Sequence, residues 1–122
     1  MGIPSFAGVH NQRKAQVLFV FQRYSLGVPG GRGLKPSEVA ESANLPIENI
    51  HETFKGLCKW KYITFAFAPK SRRCIYKITT KGSQWLTRWS LLIPWQRYGW
   101  TEETIADIDR KIKEIVEFRG YK

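Results

Sequence analysis

Asn49, His51, Glu52 and Lys55 are the side chains here whose types and spacing could do chemistry, and that chemistry is hydrogen bonding to an edge rather than bond making. They fall in the run PSEVAESANLPIENIHETFKGLCKW, residues 36–60. Within it Ile50, Thr53, Phe54 and Leu57 recur at helical spacing. A helix that buries those four turns Glu48, Asn49, His51, Glu52, Lys55 and Lys59 the other way. An asparagine amide pairs bidentately with adenine, a carboxylate accepts from cytosine N4, and an apolar residue such as Ile47 can touch a thymine methyl. Bond-making chemistry has no comparable support. The chain has 2 histidines and 2 cysteines, without a nucleophile–base pattern or a metal-ligand spacing. No catalytic residue, metal or cofactor is expected, and the chain reads as a binding protein, not an enzyme.

The elements that must hold these residues come from the same run. Val39, Ala40 and Ala43 mark one side of a first helix, and Pro36 suits its first turn, where a missing N–H is harmless. Asn44-Leu45-Pro46 stops it, because the residue before proline is pushed out of the α region. A second helix is expected over 46–60. Helix, tight turn and second helix with a polar outer face make a helix-turn-helix, whose second helix enters the DNA major groove. Any two consecutive amphipathic helices share much of this pattern, so charge has to help choose.

The formal net charge is +10, and its distribution is uneven. Residues 53–100 carry ten Lys or Arg and no acid, and residues 1–37 carry five and no acid. All 10 acids lie in 38–52 and 101–122. A long acid-free basic stretch attracts polyanions by counterion release, whatever their sequence. Nucleic acid is therefore the expected partner, ahead of a basic surface that merely confers solubility. No run of about 18 apolar residues is present, so no membrane span is expected and the protein reads as intracellular.

Taken in order, residues 1–10 (MGIPSFAGVH) have no period and read as a flexible arm, with Phe6 available to tuck onto the body. Asn11 suits the N-cap of a helix over 12–25, with Val17, Leu18, Phe21 and Tyr24 inward and Arg13 and Lys14 exposed in its first turn. Cations there oppose the helix dipole, which a nearby phosphate would offset. GVPGGRG, residues 27–33, lacks the GxxxxGK[ST] pattern of a phosphate loop and reads as a flexible turn, with Leu34 adding a short strand residue. Residues 62–68 and 74–78 read as a β-hairpin whose tip carries Lys70, Arg72 and Arg73. Thr79 or Thr80 caps a helix running through Trp85, Leu86, Trp89 and Leu92 to about Ile93, and Pro94 ends it. Cys58 and Cys74 read as buried thiols, with a disulfide between them left open.

Helix, helix-turn-helix, basic hairpin, helix resembles the winged helix-turn-helix DNA-binding superfamily, of the kind seen in MarR- and PadR-type regulators and in many small archaeal and viral proteins. The run LKPSEVAESANLPIENIHETFKGLCKWKYI, the hairpin and YKITTKGSQWL carry the likeness, over about 15–93. It implies an α+β, mostly helical fold with helix 46–60 in the groove and hairpin 62–78 as the wing. It further implies a sequence-specific double-stranded DNA-binding transcription regulator. Two features depart from the pattern: Glu48 and Glu52 repel phosphate, and the recognition helix has no arginine. Arg13, Lys14, Ser37, Lys70, Arg72 and Arg73 are then expected to position the duplex, and Asn49, His51, Glu52 and Lys55 to read it. The alternatives are a non-specific nucleic-acid or architectural protein and a protein-docking winged helix.

Residues 94–122 read as an addition to a domain complete at 11–93. Ile105, Ile108, Ile112 and Ile115 follow the 3-4-3 rhythm of a coiled-coil seam, on a helix capped by Thr101. Trp95 and Trp100 have no evident buried role, so these six residues are expected to form a homodimer interface. A small-molecule effector is left unspecified.

Overall fold

The computed structural model describes residues 5–66 and 75–119. Its elements are α1 (Val9–Gly27), α2 (Pro36–Ala43), α3 (Ile50–Lys59), β1 (Ile63–Phe65), β2 (Tyr76–Ile78), α4 (Thr80–Trp89) and α5 (Glu102–Arg119). The class is the expected α+β, mostly helical one, with a single two-stranded antiparallel sheet among the described residues.

Helix α1 is the centre. Ala15, Gln16, Val17, Leu18, Val20 and Phe21 are all buried, which leaves no polar face over nearly two turns. Helices α2, α3, α4 and α5 and strand β2 all lie against it. The helix begins earlier than the sequence reading has it: Gly8 is the N-cap, and Val9 and His10 already belong to the helix. Asn11 is not the cap; its side-chain amide donates to the Ser5 carbonyl at 2.9 Å. That contact and the burial of Phe6, which meets Trp85 edge-on, fasten the segment before α1 to the body.

Helix α2 starts at Pro36, where the ring occupies the first turn. Glu38 reaches back to accept from the Lys35 amide at 2.8 Å, satisfying one orphan donor. Asn44 ends the helix in the left-handed region, φ 53°. The Leu45 amide then donates to Ala40 at 2.8 Å, closing a Schellman turn. The second helix of the pair begins at Ile50, not at Pro46, because residues 46–49 form a turn and Asn49 is the N-cap. Ile50, Phe54 and Leu57 are its buried side, as the spacing requires.

The sheet pairs Ile63 with Ile78, Thr64 with Lys77 and Phe65 with Tyr76. Its strands are shorter than the expected 62–68 and 74–78, and residues 67–74, which include Cys74 and the tip, lie outside the described residues. Leu34 adds a third, one-residue rung, exchanging two 2.9 Å hydrogen bonds with Tyr76. Gly33 makes that approach workable. Its φ is +121°, and an added Cβ would sit 2.4 Å from the Tyr76 carbonyl oxygen. Thr79 caps α4, accepting from the Gly82 amide at 3.1 Å and donating to the Lys61 carbonyl at 2.6 Å. Helix α4 stops at Trp89 instead of running to Ile93. The pre-proline residue Ile93 turns inward and is buried, while Leu92, expected on the buried stripe, is half exposed.

The tail does not stand apart as an assembly module. Ile108 and Ile112 are buried within this one chain, in the same core as Leu18 and Phe21, while Ile105 and Ile115 are half-buried. Helix α5 lies on α1 and α2. The connector is part of that packing: Trp100 is buried, Trp95 and Trp100 stack on each other, and Phe19 meets the first tilted and the second edge-on. The Tyr98 hydroxyl donates to the Phe6 carbonyl at 2.7 Å, joining the connector to the segment before α1. Arg23 of α1 grips Asp109 of α5 with both ends of its guanidinium. The isoleucine rhythm is real, but its partner is the chain's own core, so the coiled-coil seam and the dimer role of Trp100, Ile108 and Ile112 are corrected.

Ile108→Ala should therefore lower stability by about 2–5 kcal/mol, the usual range for emptying a core site. The half-buried Ile115→Ala should cost clearly less. Urea midpoints decide it. An unchanged midpoint for Ile108→Ala, with a halved mass in light scattering, would return the seam to an intermolecular role.

Candidate nucleic-acid interface

Helix α3 is clamped by one side and open on the other. Ile50, Phe54 and Leu57 sit in the core, and Phe54 meets Phe21 and Tyr76 at ring-centroid distances of 5.6 and 5.0 Å. Half a turn away, His51, Glu52, Lys55 and Lys59 are exposed, with Asn49 exposed at the N-cap. All four expected reading residues thus share an accessible surface. Ile47 is also exposed, in the turn before the helix. Glu52 stands in the first turn, where the dipole favours an acid, and Lys59 in the last, where it favours a base. Both charges suit the helix itself.

Gly56 lies on this open side, mid-helix, and an added Cβ would meet nothing within 4 Å. Glycine costs a helix interior up to about 1 kcal/mol relative to alanine. Beside it a cleft of about 600 Å³ separates α3 from the start of α1, with His10, Arg13, Lys14, Asn49, Glu52 and Trp60 among its walls. Trp60, read from sequence as a turn residue, is 59% exposed at its edge.

The positioning residues separate into three groups. Ser37 is exposed in the first turn of α2. Lys70, Arg72 and Arg73 lie outside the described residues. Arg13 and Lys14 are half-buried rather than exposed. The Lys14 ammonium sits 4.5 Å from the Tyr62 ring centroid and 4.3 Å from that of Trp85. Lys81, a residue the sequence reading passed over, stands 5.3 Å from the same Tyr62 ring. Two ammonium groups share one aromatic platform, and neither has an ion pair among the described residues. The rings' negative faces attract each cation while the cations repel each other. No sequence signal could pair residues 14 and 81; only the packing of α1 against α4 brings them together.

Arg23 changes standing for the opposite reason. It counts toward the basic surplus in the sequence, yet the Asp109 pair neutralises it. Arg110 is likewise held by Asp107 and Glu114 on the surface of α5. Cations near α3 without an ion pair among the described residues include Arg13, Lys14, Lys55, Lys59, Lys61 and Lys81. Cys58 is a free, half-buried thiol, and burial pushes its pKa up; Cys74 lies outside the described residues. No group of three or more metal-ligating side chains occurs among the described residues. Among the described residues no helix is long and apolar enough to cross a membrane. Set against family models, curated proteins and solved structures, the chain matches none of them.

Burial, and then the charge of Lys81, hold the Lys14 ammonium below the ordinary lysine value. A lysine lowered in this way costs the fold stability while it stays charged. The cost is relieved as pH rises from the folded-state value toward the ordinary one. Side-chain ¹³C titration should show Lys14 deprotonating below the ordinary lysine value, and Lys81→Met should move its midpoint back up. A Lys14 midpoint indifferent to Lys81→Met would mean that the two ammonium groups do not sense each other.

Proposed function

We propose that this protein is an intracellular, sequence-specific double-stranded DNA-binding protein, acting as a transcription regulator with α3 in the major groove. The observation that carries the reading is the two-sidedness of α3. One side is fixed by three buried side chains, and the other presents the exposed side chains of Asn49, His51, Glu52 and Lys55. Rigid support and a free polar face are what base readout needs. Ser37 from α2, Arg13 and Lys14 from α1, Lys81 from α4 and the basic tip residues Lys70, Arg72 and Arg73 would take phosphates on the flanks. Lys14 and Lys81 fit that role because a phosphate relieves their mutual repulsion. The protein works by binding, without catalysis. A homodimer on a two-fold site belongs to the proposal, its interface lying outside the Ile108–Ile112 stripe.

A second reading has its own support. Glu48 and Glu52 beside the exposed Ile47 and Trp60 suit a protein partner better than a phosphate backbone. Selection of bound duplexes from a random pool at fixed salt separates the two. Enrichment of a two-fold site supports the regulator, and the absence of any enriched site favours the docking module or a non-specific binder.

On an enriched site Asn49→Ala should relax the preference at one base pair by about 1–3 kcal/mol. Lys81→Met should instead weaken all duplexes alike and flatten the salt dependence by about one phosphate contact. A uniform loss for Asn49→Ala would demote it to a backbone contact, and an unchanged salt slope for Lys81→Met would remove Lys81 from the interface.

A further inference from the structure

The aromatic platform under Lys14 and Lys81 has a chemical consequence as well as an electrostatic one. The Lys14 ammonium lies 4.5 Å from the Tyr62 ring centroid and 4.3 Å from that of Trp85, and the two rings are 6.0 Å apart. Lys81 reaches the same Tyr62 ring at 5.3 Å. It is exposed in the first turn of α4, so that end of the platform faces solvent. The shared ring fixes the two nitrogens as neighbours. His10 and Arg13 of α1 and Glu52 of α3 line the same cleft as Lys14. Glu52 makes no ion pair with it, and among the described residues no other acid does.

An amine is nucleophilic only when neutral, and at neutral pH about one ordinary lysine in a thousand is neutral. A lysine drawn partly out of water beside a second cation keeps more of the neutral form. Both conditions hold at Lys14, whose ammonium is kept below the ordinary lysine value first by burial and then by Lys81. The ring faces favour the charged form, but Tyr62 divides that attraction between two ammonium groups. Lys14 is half-buried, not sealed, and borders the cleft of about 600 Å³ between α1 and α3. The electrophile that suits this setting is small and anionic, because Lys81 and Arg13 attract negative charge and Lys81 can receive an anionic leaving group.

We propose that Lys14 is an acylation site, modified by a small acyl phosphate. The neutral Nζ attacks the acyl carbon. The bond from that carbon to the bridging oxygen breaks, and inorganic phosphate departs with the electron pair toward the Lys81 ammonium. The proton lost from Nζ goes to the phosphate or to water. The product is an uncharged amide, and the repulsion from Lys81 ends. For the α3 surface the change removes one phosphate-binding cation and lowers duplex affinity. That consequence rests on the reading of α3 as a DNA-binding helix; the acylation does not.

The test is incubation of the full chain with acetyl phosphate, without DNA, and peptide mass spectrometry of initial rates at Lys14 and at the exposed Lys55 and Lys59. Lys14 should react about tenfold faster than either, since its rate follows its neutral fraction. Lys81→Met should slow Lys14 at least threefold and leave Lys55 and Lys59 unchanged, while Lys81→Arg, which keeps the charge, should preserve the rate. Circular dichroism checks folding, and Lys81→Gln replaces Lys81→Met if that variant is unfolded. The proposal is overturned if Lys14 reacts no faster than Lys55, or if removing the Lys81 charge leaves its rate unchanged. Acetylated and untreated chains are then compared on mixed duplexes, where acetylation should weaken binding and flatten the salt slope by about one phosphate contact. Fast acylation with unchanged duplex binding overturns the regulatory consequence and tells against the interface, while the modification site stands.

Discussion

Seven consecutive residues, Ala15 to Phe21, leave α1 with almost no face that water can solvate, and the remainder of the molecule is arranged to cover them. One partner layer cannot do this, since an amphipathic helix shields only a stripe. Helix α3 and strand β2 cover part of the surface, α4 another part, and α2 with α5 the rest. The fold is thus one core around one helix. The last helix belongs to that core through Ile108 and Ile112, as the helix-turn-helix does through its own buried side chains.

The surface that remains available follows from that arrangement. Because α3 turns Ile50, Phe54 and Leu57 into the core, its side chains His51, Glu52, Lys55 and Lys59 are left exposed. Because α1 crosses beneath α3 and beside α4, its first turns bring Arg13 and Lys14 to the edge of the same surface. Acids are drawn the other way. Asp107, Asp109 and Glu114 are tied to arginines on the α5 side, so the basic surplus near α3 is left uncompensated. Segregation of charge by pairing sharpens what composition already implied.

The placement of α5 also accounts for the cleft behind α2. An α5 dedicated to a second copy would leave the back of α2 bare. Lying in cis, it borders a cleft with α1 and the end of α2, lined by Arg13 of α1 and by Glu103, Asp107 and Lys111 of α5. The aromatic connector fixes this geometry, because Trp95 and Trp100 lock against Phe19 and Tyr98 ties to Phe6.

By itself the sequence determined the local elements and the polar face of α3. Periodicity, Pro36, Asn44 and Thr79 act through backbone geometry within a few residues, so the helix pair, the hairpin, the Leu34 rung and the α4 cap were legible. Boundaries were less so: Asn11 lost the cap to Gly8, and Pro46 to Asn49 made a turn where one residue type did not decide between two backbone states. Only the tertiary structure decided what each apolar face met. A 3-4-3 row of isoleucines looks the same whether it buries against a second chain or against Leu18 and Phe21. The hydrophobic effect depends on the area removed from water, not on whose surface removes it. The same holds for charge. Arg23 and Lys14 are both simply basic in the sequence, and the fold gives one a carboxylate and the other two aromatic rings and a second lysine. Pair distances between residues far apart in sequence exist only once the chain has closed on itself.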